Sequence, residues 1–155
     1  MALPLALAAC GFAPAFGPSG AASALLGQVN VENTTTRMGF EFIKKMEERL
    51  GRGAGGRYDL TYDISTEKVS LGLTADGSIT RYNLLGSITW QLKDSASGAK
   101  LASGTEQNFT AWSATGVTIA AVNAETDAET RLMHILADQI ATRLIALSPK
   151  LLDAG

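Results

Sequence analysis

Four groups of residues in this 155-residue chain have types and spacings that can do chemistry. The stretch GRGAGG places Gly51, Gly53 and Gly56 in a GxGxxG pattern, which binds phosphate where a strand ends and a helix begins, because amides and helix dipole then converge on the anion. Here the pattern follows a helical segment and precedes an extended one, so it reads as a glycine C-cap and connection. His134 is the only histidine. Without a second histidine or a free thiol at ligand spacing it predicts no metal site, and without a GxSxG elbow it predicts no serine nucleophile. Glu125 and Glu129 could pair as acid and base, but they read more simply as negative charge at the start of a helix. No catalytic residue, metal site or cofactor is expected. The basic side chains of an extended region, Arg81 beside Tyr82 and also Arg57, Lys68, Lys93 and Lys100, suit a different task. Cations next to apolar surface can hold the phosphates of an anionic lipid.

The single cysteine points the same way. Cys10 closes the apolar run ALPLALAAC, which is far too short to span a bilayer but near the length of a secretory h-region. LAAC resembles the bacterial lipobox, in which the peptide is cut before the cysteine and that residue is acylated. Several acyl chains bury enough methylenes for stable anchoring, whereas one chain is marginal. Residues 1–9 are thus expected to be a signal peptide whose start lies upstream, since no Lys or Arg precedes Cys10. Gly11 rather than Asp after the cysteine implies, by the same resemblance, sorting to the outer membrane.

These residues must be positioned by a domain of modest size. Charged residues make up 18% and apolar ones 46%, with a net charge of −2, so the chain is globular and offers no basic field for nucleic acid. Residues 10–27, rich in Gly, Ala, Pro and Ser, read as the lipidated cysteine and a tether. Residues 28–150 read as one domain. QVNVEN (28–33) predicts a short strand. Thr34 to Thr36 offer N-cap hydroxyls for a helix to about Leu50, with Met38, Phe42, Met46 and Leu50 as its buried stripe and Glu41/Lys45 and Lys44/Glu48 as i,i+4 pairs. Period-two alternation then places Tyr58, Leu60, Tyr62 and Ile64 on one face, and Val69, Leu71 and Leu73 on the same face after a bend at 66–68. ADGS (75–78) predicts a hairpin turn. The returning strand aligns Tyr82, Leu84, Ile88, Trp90 and Leu92, SASG (95–98) turns again, and Leu101 to Ser113 form a third, more polar strand. The last helix is expected from about Asn123 to Leu147, with Leu132, Leu136, Ile140, Leu144 and Leu147 as its stripe and Pro149 beyond its end. The order β-α-β-β-β-α predicts an α+β two-layer sandwich: an approximately four-stranded, mostly antiparallel sheet with two helices on one face.

Taken together, LAACGFAP, DGSITRYNL, LKDSASGAKLASG and AETDAETRLMHILADQIATRLIAL resemble the LptE family of outer-membrane lipoproteins. The resemblance implies the same two-helix, four-strand fold and a non-enzymatic role. It implies binding to the LptD β-barrel as a plug, contact with lipopolysaccharide, and assistance in placing that lipid in the outer leaflet. It also implies attachment at Cys10 on the periplasmic side of the outer membrane. In better-studied members of that family, basic residues near the turn before the TRY segment and near the start of the last helix contribute to lipopolysaccharide contact. This chain has Ala75, Asp76 and Asn123 there, so Arg81 and Lys93 become the candidate lipopolysaccharide contacts. The alternative is an auxiliary lipoprotein of an ABC-type envelope lipid transporter.

Overall fold

The computed structural model describes residues 23, 25–73, 79–114 and 118–153. The signal peptide, Cys10, most of the tether and the 75–78 turn lie outside the described residues. The elements run β1 (Val29–Val31), α1 (Arg37–Leu50), β2 (Tyr58–Leu73), β3 (Ile79–Asp94), β4 (Lys100–Ser113) and α2 (Thr118–Asp153). They form the expected β-α-β-β-β-α sandwich. The sheet order is β1-β2-β3-β4, with β1 parallel to β2 and the other pairs antiparallel. α1 supplies the crossover that a parallel pair requires.

α1 starts where Thr36, in an extended conformation, accepts a hydrogen bond from the Gly39 amide on Oγ1 at 3.1 Å. Its stripe Phe42, Met46 and Leu50 is buried, each side chain contributing about 1.5–3 kcal/mol of apolar transfer, and the Phe42 ring lies 4.6 Å from that of Tyr62 on β2. The surface pairs form at i,i+3 instead of the expected i,i+4: Lys44 with Glu41 and Lys45 with Glu48. Either spacing brings side chains together on one helix face. α1 meets α2 along a seam of charge: Arg37 with Glu129, Glu41 with His134 at 3.1 Å, and Arg49 with Asp138 at 3.5 Å.

α2 is longer than expected at both ends, and Pro149 sits inside it. A helix-interior proline leaves the carbonyl four residues back without its amide donor. That carbonyl belongs to Ile145, and the Ser148 hydroxyl donates to it at 2.7 Å. Leu151, buried about one turn past Ser148, holds the extended end against the core. Along the helix, Leu132, Met133, Leu136, Ala137, Ile140, Ala141 and Leu144 are all buried.

Two close approaches fix how the layers meet. A Cβ on Gly86 of β3 would stand 2.7 Å from Leu132 Cδ2 and 3.2 Å from Leu136 Cδ1, so the missing side chain is what lets α2 seat on the sheet. A Cβ on Gly56 would stand 2.3 Å from the Gln28 carbonyl oxygen. There Asn30 clamps Gly56, donating from Nδ2 to its carbonyl and accepting from its amide on Oδ1, both at 3.1 Å. The GxGxxG stretch thus connects α1 to β2 and is held against β1. Leu25, read from sequence as part of the tether, is buried in the core, and the Gly27 amide donates to the Leu50 carbonyl.

The larger correction concerns β2. No bend interrupts it: pairing with β3 runs from Tyr58↔Asp94 to Leu71↔Arg81. Alternation is therefore preserved, and Val69 and Leu71 fall on the face opposite to Tyr58, Leu60, Tyr62 and Ile64.

Candidate functional site

The uninterrupted register divides the sheet by residue parity. Even-numbered positions of β2 and β3 face the helices, and odd-numbered positions form an outer face that neither helix covers. Arg81 and Lys93 are both odd, so β3 carries both candidates on the outer face, and their strand partners differ. Arg81 is exposed, level with Leu71 on β2 and Ser113 on β4. Lys93 is half-buried, level with Asp59 and beside the irregularity where it pairs with Lys100. They stand twelve positions apart on one strand, about 40 Å at the usual rise per residue. A single phosphate group cannot touch both. Among the described residues neither cation forms an ion pair.

Of the two cations, Arg81 is the one with the apolar surroundings that a lipid-phosphate contact needs among the described residues. On the outer face of that half of the sheet, Leu71, Leu85 and Phe109 are exposed and Val69 is half-buried. Lys93 lies instead near Asp59, Gln91 and Asp94. The geometry favours Arg81 of the two.

Lys68 belongs to the inner face. Its ammonium pairs with Glu125 of α2 at 2.7 Å and lies 5.3 Å from the ring centre of Tyr82 and 5.9 Å from that of Trp112. Those two rings stack at 5.1 Å. The hydrogen bond to Glu125 raises the Lys68 pKa above the ordinary lysine value. This cation is committed to closing α2 over the sheet. Arg57 is likewise engaged with Asp94, at 3.6 Å. At the turn after β3 the Asp94 carboxylate accepts from the Ser97 amide and hydroxyl, both at 2.8 Å, and from the Ala96 amide, which lowers its pKa below the usual aspartate value. Asn123 is exposed on α2, whereas Ala75 and Asp76 lie outside the described residues. His134, half-buried at the helix seam, faces Glu41, and no group of three His, Cys, Asp or Glu side chains able to hold a metal occurs among the described residues.

Residues 26–144 match the protein family described as LptE, lipopolysaccharide-assembly. The chain belongs to the LptE family. Members are non-enzymatic outer-membrane lipoproteins of lipopolysaccharide assembly, working with the lipopolysaccharide transport machinery. A comparison with curated proteins returns no match. The LptE-like architecture recurs in solved structures. A lipoprotein of Caulobacter crescentus is similar with a TM-score of 0.70 and 22% identity, over 84% of this chain and 96% of that one. The rare lipoprotein B of Shewanella oneidensis is similar with a TM-score of 0.59 and 12% identity, over 80% and 96%. Lipoprotein B of Nitrosomonas europaea gives 0.59 and 16%, over 78% and 83%. At these identities the shared property is the fold. No helix among the described residues is long and apolar enough to cross a membrane.

Sequence reasoning missed the outer apolar surface because it assigned Val69 and Leu71 to the buried face. The signal was present in the numbering. Ile64 and Val69 differ in parity, and only an irregularity in the strand could place them on one side.

Proposed function

We propose that the protein is a lipid-anchored plug of the LptD β-barrel, attached to the outer membrane through acylated Cys10, and that it helps lipopolysaccharide pass into the outer leaflet. The observation that carries this reading is the family match over residues 26–144. The architecture supports it: a two-layer body with one sheet face left open among the described residues has the form of an object that is seated in something. Arg81, without an ion-pair partner among the described residues and level with Leu71, is the proposed contact for a lipopolysaccharide phosphate, with guanidinium on the anion and the apolar neighbours under the lipid body. Lys93 is the weaker candidate, lacking that apolar flank.

The test is a detergent pull-down of the full-length tagged protein from its own envelope, with mass spectrometry of what stays bound. A stoichiometric large β-barrel is expected. Recovery of an inner-membrane permease or ATPase in its place would overturn the plug reading, and an unlipidated Cys10 in the same preparation would overturn the anchor.

A further inference from the structure

The outer face changes character rung by rung. Ser65, Ser87 and Gln107 stand level across β2, β3 and β4, and the next rung towards the apolar end is Glu67, Leu85 and Phe109. Between these two rungs lies a shallow groove of about 430 Å³, within the range of small-ligand sites. Phe109 is 58% exposed and Leu85 41%, so one side of the groove is a flat apolar plateau. Its other side is a row of hydroxyl and amide groups. Among the described residues the Ser65, Ser87 and Gln107 side chains and the Glu67 carboxylate make no hydrogen bond or ion pair with another protein group, leaving their donors and acceptors open to a ligand. The Phe109 amide is satisfied by Asn108 Oδ1 at 2.8 Å, which steadies the backbone beneath the ring at the edge of the sheet.

We propose that this groove is a binding site for a neutral saccharide. A pyranose presents a face of C–H groups ringed by hydroxyls. The electron-rich face of an aromatic ring attracts such polarised C–H groups, and amide, hydroxyl and carboxylate groups at the rim match the sugar's donors and acceptors. The alternatives fit less well. An acyl chain lying across both rungs would strip water from the Ser65, Ser87 and Gln107 row without replacing its hydrogen bonds. A phosphate would meet the Glu67 carboxylate and no cation in the lining. The site is separate from Arg81, which lies two rungs further along β3 beyond Asn83, and the inference does not depend on the barrel reading.

The experiment is a titration of the isotope-labelled protein, followed by its amide resonances, with three probes: maltotriose, the lipid-free oligosaccharide released from lipopolysaccharide by mild acid, and intact lipopolysaccharide in detergent. Saccharide binding shifts the amides of Glu67, Leu85, Ser87, Gln107 and Phe109. Phe109→Ala is expected to weaken it by about tenfold, the factor that corresponds to one lost aromatic contact, while Phe109→Trp retains it. Phe109 is exposed, so neither change threatens folding. Three outcomes would overturn the proposal: no response to either lipid-free saccharide, a response that Phe109→Ala leaves unchanged, or shifts at the groove with intact lipopolysaccharide alone, which would assign the plateau to acyl chains. None of these would alter which partner the pull-down recovers.

Discussion

The hydroxyl of Ser148 donates at 2.7 Å to the carbonyl of Ile145, the group that Pro149 deprives of its helical donor. This exchange lets α2 run four residues past a proline instead of stopping before it. Ser148 is fully buried, so water does not replace it. Ser148→Ala is therefore expected to cost about 1 kcal/mol by leaving a part-buried carbonyl without this donor. Chemical denaturation measures the loss, and faster amide exchange at Lys150 and Leu151 localises it. Wild-type stability in the variant would show that another donor serves Ile145.

Gly86 sets the distance between α2 and the sheet. Gly86→Ala introduces a Cβ 2.7 Å from Leu132 Cδ2 and is expected to destabilise the protein by about 1–3 kcal/mol through overpacking. Leu132→Ala in the same chain removes the obstructing atom. The pair should then be less damaging than the sum of the single changes, as a thermal double-mutant cycle would read. Simple additivity would mean that the close contact is relieved by movement elsewhere.

Asp94 makes stability depend on pH in the acid range. Its folded pKa lies below the unfolded value because Ser97 and Ala96 donate to the carboxylate. Its contribution is present above the unfolded aspartate pKa and is lost as pH falls through the lowered folded value. Asp94→Asn should flatten the acid limb of a plot of unfolding free energy against pH and leave the neutral region with little slope change. An unaltered acid limb would place the titration at other carboxylates.

Charge reversal separates the two outer-face cations. Arg81→Glu should weaken lipopolysaccharide binding by about tenfold or more, with the remaining binding less sensitive to salt, whereas Lys93→Glu should have little effect. Arg81 is exposed, so the melting temperature of Arg81→Glu should hardly move, whereas Lys93→Glu sets a second carboxylate level with Asp59 and should lower it modestly. Equal losses from the two variants would mean that net charge, not the Arg81 position, governs binding.

Most of the architecture could be read from periodicity. Phe42, Met46 and Leu50 recur every four residues and are buried, and Leu84, Ile88, Trp90 and Leu92 alternate and share the inner face. The order of elements follows from those two periods alone. Where the reading failed, a specific interaction overrode a general rule. Proline stops helices unless a neighbour supplies the missing donor, and the SP pair at 148–149 does not reveal which way the hydroxyl points. The β2 error had a different source. Grouping all apolar residues on one buried face assumes that a strand has one hydrophobic side along its whole length, and Val69 and Leu71 do not obey it. The candidate site was half legible. That Arg81 and Lys93 share a face follows from their odd numbers, and that they are too far apart to cooperate follows from the strand rise. The ion pair that withdraws Lys68 from the list could be seen only once α2 lay over the sheet.

The change of apolar face along β2 also bears on how such a protein can vary. Stability resides in the even-numbered positions and the helix stripes, while the odd-numbered surface around Leu71, Leu85 and Phe109 contributes little to folding. Substitutions on that surface can follow a changing partner or ligand without unfolding the chain, because the two sets of side chains never compete for the same space. Lineages of this fold are then free to diverge outwardly while the interior pattern persists, which is the relationship seen here, where identities of 12–22% accompany one shared architecture.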